Sequence, residues 1–125
     1  MAKILVVEDN PLNLRLLCEV LEHREHSVDI AMSVAQARER LRATPPDLLL
    51  VDIQIPGGGG EQLLQEVKGD PCYVGLPVIA VTALAMTGDR QRLLGLGFDG
   101  YFSKPIDTRA FGPAIESYLK ESKDI

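Results

Sequence analysis

Pro46-Asp47-Leu48-Leu49-Leu50-Val51-Asp52-Ile53-Gln54-Ile55-Pro56 holds four consecutive apolar residues, Leu48 to Val51, and delivers a carboxylate directly after them. A short, continuous apolar run of this kind reads as a strand buried on both faces of a parallel sheet. The same form occurs in Ile4-Leu5-Val6-Val7 and in Pro77-Val78-Ile79-Ala80-Val81. Val28-Asp29-Ile30 and Gly100-Tyr101-Phe102 are weaker runs. The three continuous runs are expected at the centre of the sheet, with the Val28 run at an edge.

Amphipathic stretches separate these runs. Asn10 with Pro11 behind it forms a helix start, followed by Leu14, Leu17, Cys18 and Leu21 on one face. Ser33-Val34-Ala35-Gln36 has the form of a capping box ahead of Ala37 and Leu41. Leu63, Leu64 and Val67 mark a third helix, and Leu93 and Leu94 a fourth. Phe111, Ala114, Ile115, Tyr118 and Leu119 mark a fifth. Pro113 lies within that last stripe, so a loose turn before it, or a helix starting near it, is expected.

Five strand–helix units predict an α/β domain with right-handed crossovers and helices on both faces, a (βα)5 three-layer sandwich. At this length the flavodoxin-like order 2-1-3-4-5 is the expected arrangement. The 125 residues suffice for one domain, spanning 1–125, with no output domain. The Met1 start and the charged stretch from Lys120 to Asp124 favour a free-standing unit.

A net charge of −5 with no Lys/Arg run argues against nucleic acid as a partner. No apolar stretch is long enough to span a bilayer or to act as a signal peptide, which predicts a cytoplasmic protein without a membrane partner. Cys18 and Cys72 have neither CxxC spacing nor a histidine pattern and read as free thiols.

In an open parallel sheet, ligands bind beyond the carboxyl ends of the strands. The residues arriving there are Glu8 and Asp9 after the first run, Asp52 after the third, Thr82 after the fourth, and Ser103-Lys104-Pro105 after the fifth. Polar residues are common at strand ends, but five in register with complementary charge make a chemical set. Three converging carboxylates repel one another unless a cation neutralises them, and Mg2+ suits oxygen ligands beside phosphate. Lys104 adds a second positive point and Thr82 a hydroxyl donor. Such a site suits phosphoryl transfer with Asp52 as nucleophile.

Four segments taken in order resemble the receiver domains of bacterial two-component response regulators, most of all the stand-alone type. They are Ile4 to Asn10, Pro46 to Pro56, Val78 to Ala83 and Gly100 to Pro105. The resemblance implies that Glu8 and Asp9 bind Mg2+, that Asp52 is both phosphoacceptor and metal ligand, and that the Gln54 backbone carbonyl also reaches the metal. It implies a switch in which Thr82 turns toward the phosphoryl group, Lys104 pairs with that group, and Tyr101 swings inward, with Phe102 facing the core. It further implies a cis Lys104–Pro105 peptide and a histidine kinase or histidine phosphotransferase as donor, with a downstream protein as target. A monomer or weak dimer is expected. Partner choice is expected on the first helix (Leu12 to Glu22) and on the Met86 to Phe111 face. The resemblance also implies that Gln54 and Leu84 hold the positions that tune hydrolysis; Gln54 can orient water and Leu84 cannot, which predicts slow loss of the phosphoryl group.

Gly57-Gly58-Gly59-Gly60 departs from the family pattern, although Gly60 fits an expected glycine. The loop is expected to order when Mg2+ and phosphate bind. Phosphatases that share an aspartate nucleophile resemble an Asp-x-Asp pattern, whereas this chain has Asp52-Ile53-Gln54, which favours a signal over a turnover intermediate. A receiver segment of a hybrid kinase remains an alternative. A flavin module on the same fold is disfavoured by the acidic crevice. His23 and His26 read as a solvated helix end, not as a metal pair or as phosphodonors.

Overall fold

The computed structural model describes residues 2–55, 59–82, 89–104 and 106–123. Gly57, Gly58, Leu84, Met86 and Pro105, and with Pro105 the Lys104–Pro105 peptide bond, lie outside the described residues. The strands are β1 (Lys3–Val7), β2 (Ser27–Ala31), β3 (Leu48–Asp52), β4 (Val78–Thr82) and β5 (Gly100–Ser103). They form one parallel sheet in the order β2-β1-β3-β4-β5, as expected. The helices are α1 (Pro11–His23), α2 (Val34–Ala43), α3 (Gly59–Lys68), α4 (Asp89–Leu96) and α5 (Thr108–Lys123), with a 3-10 turn at Pro71–Tyr73.

Strand alternation sorts the core into two halves. Leu5, Val7, Leu49, Val51, Val78 and Ala80 pack on α2, α3 and α4. Ile4, Val6, Leu48, Leu50, Ile79 and Val81 pack on α1 and α5. Every residue of β3 and β4 is buried, which is why these strands read as unbroken apolar runs, whereas β2 at the edge is exposed or half-buried up to Ala31.

The helix starts follow their caps. Asn10 Oδ1 accepts hydrogen bonds from Leu12 N and Asn13 N, and Pro11 takes the first helical position. Ser33 Oγ accepts from Gln36 N, but the Gln36 side chain accepts from Met32 N, one residue upstream of a standard capping box. The end of α1 is a Schellman turn: His26 N donates to Leu21 O and Glu25 N to Glu22 O, with Glu25 at φ 68°.

Three expectations need correction. Helix α5 runs through Pro113, which sits in its second turn with an exposed ring. The carbonyl that would have accepted from residue 113 belongs to Arg109, in the exposed first turn, where water can satisfy it. Gly59 and Gly60 belong to the first turn of α3 and not to a loop. His26 is buried, with Nδ1 accepting from Ala2 N at 3.3 Å and Nε2 2.9 Å from Glu116 Oε2; only His23 stays exposed. The Schellman turn folds the chain back after His23 and carries His26 under α5.

Candidate functional site

Parallel pairing without a shift in register brings the strand ends together. Val7 pairs with Val51, which places Glu8 beside Asp52; Asp52 pairs with Val81, and Thr82 with Ser103. Asp52 is 5% exposed, Glu8 1% and Thr82 0%, so the crevice is built from polar groups withdrawn from water. Asp9, one residue beyond Glu8, is exposed. One carboxylate oxygen from each of Glu8, Asp9 and Asp52 lies within 4.8 Å of the others.

Both oxygens of Asp52 are held. Oδ1 accepts from the Gln54 amide at 3.0 Å, and Oδ2 lies 3.0 Å from Lys104 Nζ. The ammonium also lies 2.7 Å from Glu8 Oε1. That second contact is an ion pair without hydrogen-bond geometry, and Glu8 Oε1 is a buried oxygen without a hydrogen bond. Glu8 Oε2 accepts from the Asn10 amide at 3.2 Å.

Electrostatics separate the two buried carboxyls. Burial pushes Glu8 up, the neighbouring Asp52 carboxylate adds to this, and Lys104 and the Asn10 amide oppose it only partly. Burial would raise Asp52 as well, but its interaction with Glu8, the Gln54 amide and Lys104 outweighs it and holds Asp52 low. Burial acts to lower Lys104, yet its contacts with Glu8 and Asp52 keep it raised. Glu8 is thus raised from its ordinary value and Asp52 lowered from its own, with the Lys104 ammonium beside both. Oxygen-only donors, an excess of negative charge and the orphaned Glu8 Oε1 fit a hard divalent cation.

Thr82 and Tyr101 share a face of the sheet. Tyr101 pairs with Ala80, two residues before Thr82, and packs half-buried against the α2/α3/α4 side of the core. Phe102 faces the other side and meets Phe111 edge-on at a centroid distance of 4.9 Å. Gly60 closes the floor: a Cβ there would stand 2.8 Å from the Asp52 carbonyl oxygen and 2.8 Å from Val51 Cγ1. Gly59 before it adopts φ 79°, which favours glycine.

Glu8, Asp9, Asp52 and Lys104 are thus brought together as the sequence suggests, with Thr82 at the adjoining strand end. The Gln54 side chain is exposed, while its amide is the group that reaches Asp52. The role of the Asn10 amide carries no sequence signal, because every residue but proline has one.

A model of the response regulator receiver domain matches residues 4–116. The polar-differentiation response regulator DivK of Brucella ovis is 38% identical over 119 residues, 95% of this chain and 97% of that protein. The signal receiver domain of a signal transduction histidine kinase from Syntrophus aciditrophicus superposes with a TM-score of 0.87 at 29% identity, covering 97% of this chain and 92% of the other. A CheY-like response regulator receiver domain protein from Methanospirillum hungatei superposes with a TM-score of 0.86 at 27% identity, over 99% and 98% of the two chains. With the sheet order, the acidic crevice and these likenesses together, the chain belongs to the response regulator receiver domain family.

Proposed function

We propose that Asp52 takes a phosphoryl group from a phosphohistidine on a histidine kinase or histidine phosphotransferase, and that the phosphorylated chain then exchanges protein partners. The observation that carries this reading is Lys104 Nζ, placed 2.7 Å from Glu8 Oε1 and 3.0 Å from Asp52 Oδ2 inside a crevice of buried carboxylates. An Asp52 oxygen attacks phosphorus while the donor's P–N bond breaks and its electron pair returns to the imidazole ring. The product is an acyl phosphate on Asp52. The Gln54 amide keeps the Asp52 carboxylate oriented, and Lys104 is close enough to pair with a transferred oxygen.

Glu8, Asp9 and Asp52, with the Gln54 carbonyl, would hold Mg2+. When bound, the ion supplies charge neutralisation for the phosphoryl oxygens. Thr82 would donate its hydroxyl to the phosphoryl group. Because Thr82 and Tyr101 lie on one face, that movement gives Tyr101 room to turn inward and remodel the β5/α5 surface. This is a population shift whose differential energy is the new phosphate contacts. Leu84, which cannot orient water, would leave the acyl phosphate slow to hydrolyse.

The net charge of −5 suits protein partners, with α1 contributing to their choice. Among the described residues, no helix is long and apolar enough to cross a membrane. A cytoplasmic monomer or weak dimer, acting as a switch made of a single receiver domain, completes the proposal. A receiver embedded in a hybrid kinase would perform the same chemistry.

The test is intact-mass analysis after incubation with acetyl phosphate and Mg2+, beside Asp52→Asn and an EDTA control. One added phosphoryl group on the wild type alone, absent with EDTA, is expected. Equal labelling of Asp52→Asn would remove Asp52 as acceptor.

A further inference from the structure

We propose that Asn10 is a positioning residue for the cation site, fixing the direction of Glu8 without touching an ion. The inference rests on the reading of Glu8 as a metal ligand. Glu8 is 1% exposed, and its two oxygens have different fates. Oε2 is tethered to the Asn10 amide at 3.2 Å, whereas Oε1 is buried, has no hydrogen bond and is turned toward the crevice and Lys104. One tethered oxygen and one presented oxygen make a carboxylate already set for a cation.

The tether is itself held by a second device. The Asn10 side chain accepts from Leu12 N at 3.0 Å and from Asn13 N at 3.2 Å, and its carbonyl accepts from Leu14 N at 2.9 Å. These bonds lock the Asn10 backbone at φ −84° and ψ 117° onto the first turn of α1. Pro11 favours extended backbone at the residue before it but leaves φ a wide range. The side-chain cap therefore has to set φ, and with it the direction in which the Asn10 N–H points. Asn10 thus joins two structures that the strand ends alone would leave independent: the start of α1 and the rotamer of the buried acid. Groups that orient ligands from behind commonly change metal affinity as much as they change geometry.

The experiment is an Mg2+ titration followed by amide chemical shifts on the full chain as wild type, Asn10→Gly and Asn10→Ser. Thermal midpoints in EDTA are recorded for each. Glycine is tolerated as an N-cap but removes the side-chain bonds; serine keeps a capping oxygen. We expect Asn10→Gly to weaken Mg2+ about tenfold with little change in midpoint, and Asn10→Ser to stay within about twofold of wild type. An Asn10→Gly affinity equal to wild type would reduce Asn10 to a helix cap and overturn the proposal. A serine variant as weak as the glycine variant would also overturn it, since the cap would then not be what transmits the effect. A wild type that shows no Mg2+ response would instead bring down the metal reading of Glu8, and this inference with it.

Discussion

Lys104 Nζ lies 3.0 Å from Asp52 Oδ2 although β4 runs between the strands that carry them. The lysine leaves the end of β5, and its stem crosses the end of β4 to place one positive charge between two buried carboxylates, Asp52 and Glu8. Removing that charge leaves a pair of buried acids with no counterion. Lys104→Met should therefore destabilise the metal-free protein by about 2 kcal/mol in urea unfolding, less than a fully buried pair would cost because the Lys104 side chain is partly open to solvent. Saturating Mg2+ should recover most of the loss. Equal losses with and without Mg2+ would show that the lysine and the metal site are independent.

Glu8 and Asp52 give the metal-free protein opposite responses to pH. Glu8 is raised above its ordinary value of 4.5 by burial and by Asp52, so the folded state binds its proton more tightly than the unfolded state does. The associated stability is fully present below about pH 4.5 and is lost as pH rises through the raised folded value. Glu8→Gln mimics the protonated acid at every pH. In EDTA, its midpoint should match wild type at low pH and rise above it as pH increases toward neutrality. A constant difference across the titration would count against a raised Glu8 carboxyl.

Gly60 packs against the backbone of the residue that bears the acceptor carboxylate. A Cβ placed 2.8 Å from the Asp52 carbonyl oxygen has no flexible side-chain tip to push aside, so α3 or the end of β3 must shift. Gly60→Ala should cost about 1–3 kcal/mol in urea unfolding. It should also slow labelling by acetyl phosphate, because Asp52 moves with its backbone. Gly75→Ala offers a contrast: space there is open, and only the φ of 84° resists the side chain. It should leave labelling at the wild-type rate.

Glu116 ties α5 to the start of β2, far from the crevice. Arg24 donates two hydrogen bonds to it, at 2.8 and 2.6 Å, and His26 Nε2 lies 2.9 Å away. The guanidinium beside it and His26 hold the Glu116 carboxyl down to about 2, against the pull of partial burial. A depressed carboxyl contributes stability above its unfolded value, and that stability is lost as pH falls from about 4.5 toward 2. With a third of the side chain exposed, solvent screening limits the contribution to about 1 kcal/mol. Glu116→Gln should be less stable than wild type by that amount at pH 7, with the gap narrower at pH 3 and closed near pH 2. An unchanged gap at pH 3 would argue against the ion pair as its source.

Most of the architecture could be read along the chain because it follows from local alternation. Leu48 to Val51 and Val78 to Val81 are apolar on both faces, which marks central strands, and the caps at Asn10 and Ser33 mark helix starts. The acidic crevice could be read because a parallel sheet gathers its carboxyl ends at one edge, and Glu8, Asp9, Asp52, Thr82 and Lys104 each follow a strand. His26 and Pro113 escape a local reading for a shared reason. Their immediate neighbours do not reveal the surroundings that matter, Glu116 above His26 and open solvent at the first turn of α5, which come from the fold.

By itself, then, the sequence determined which residues form the strands, which polar groups arrive at one edge of the sheet, and that those groups have complementary charge. Composition and periodicity act through short-range preferences and burial, and both are present in the order of residues. Tertiary structure alone decided how the charges are shared. It placed Lys104 between Glu8 and Asp52, set the Asn10 amide on one Glu8 oxygen while leaving the other unbonded, and pressed Gly60 against the Asp52 backbone. Such pairings depend on ångström-scale distances between segments tens of residues apart, and electrostatic energy in a buried crevice changes steeply over those distances.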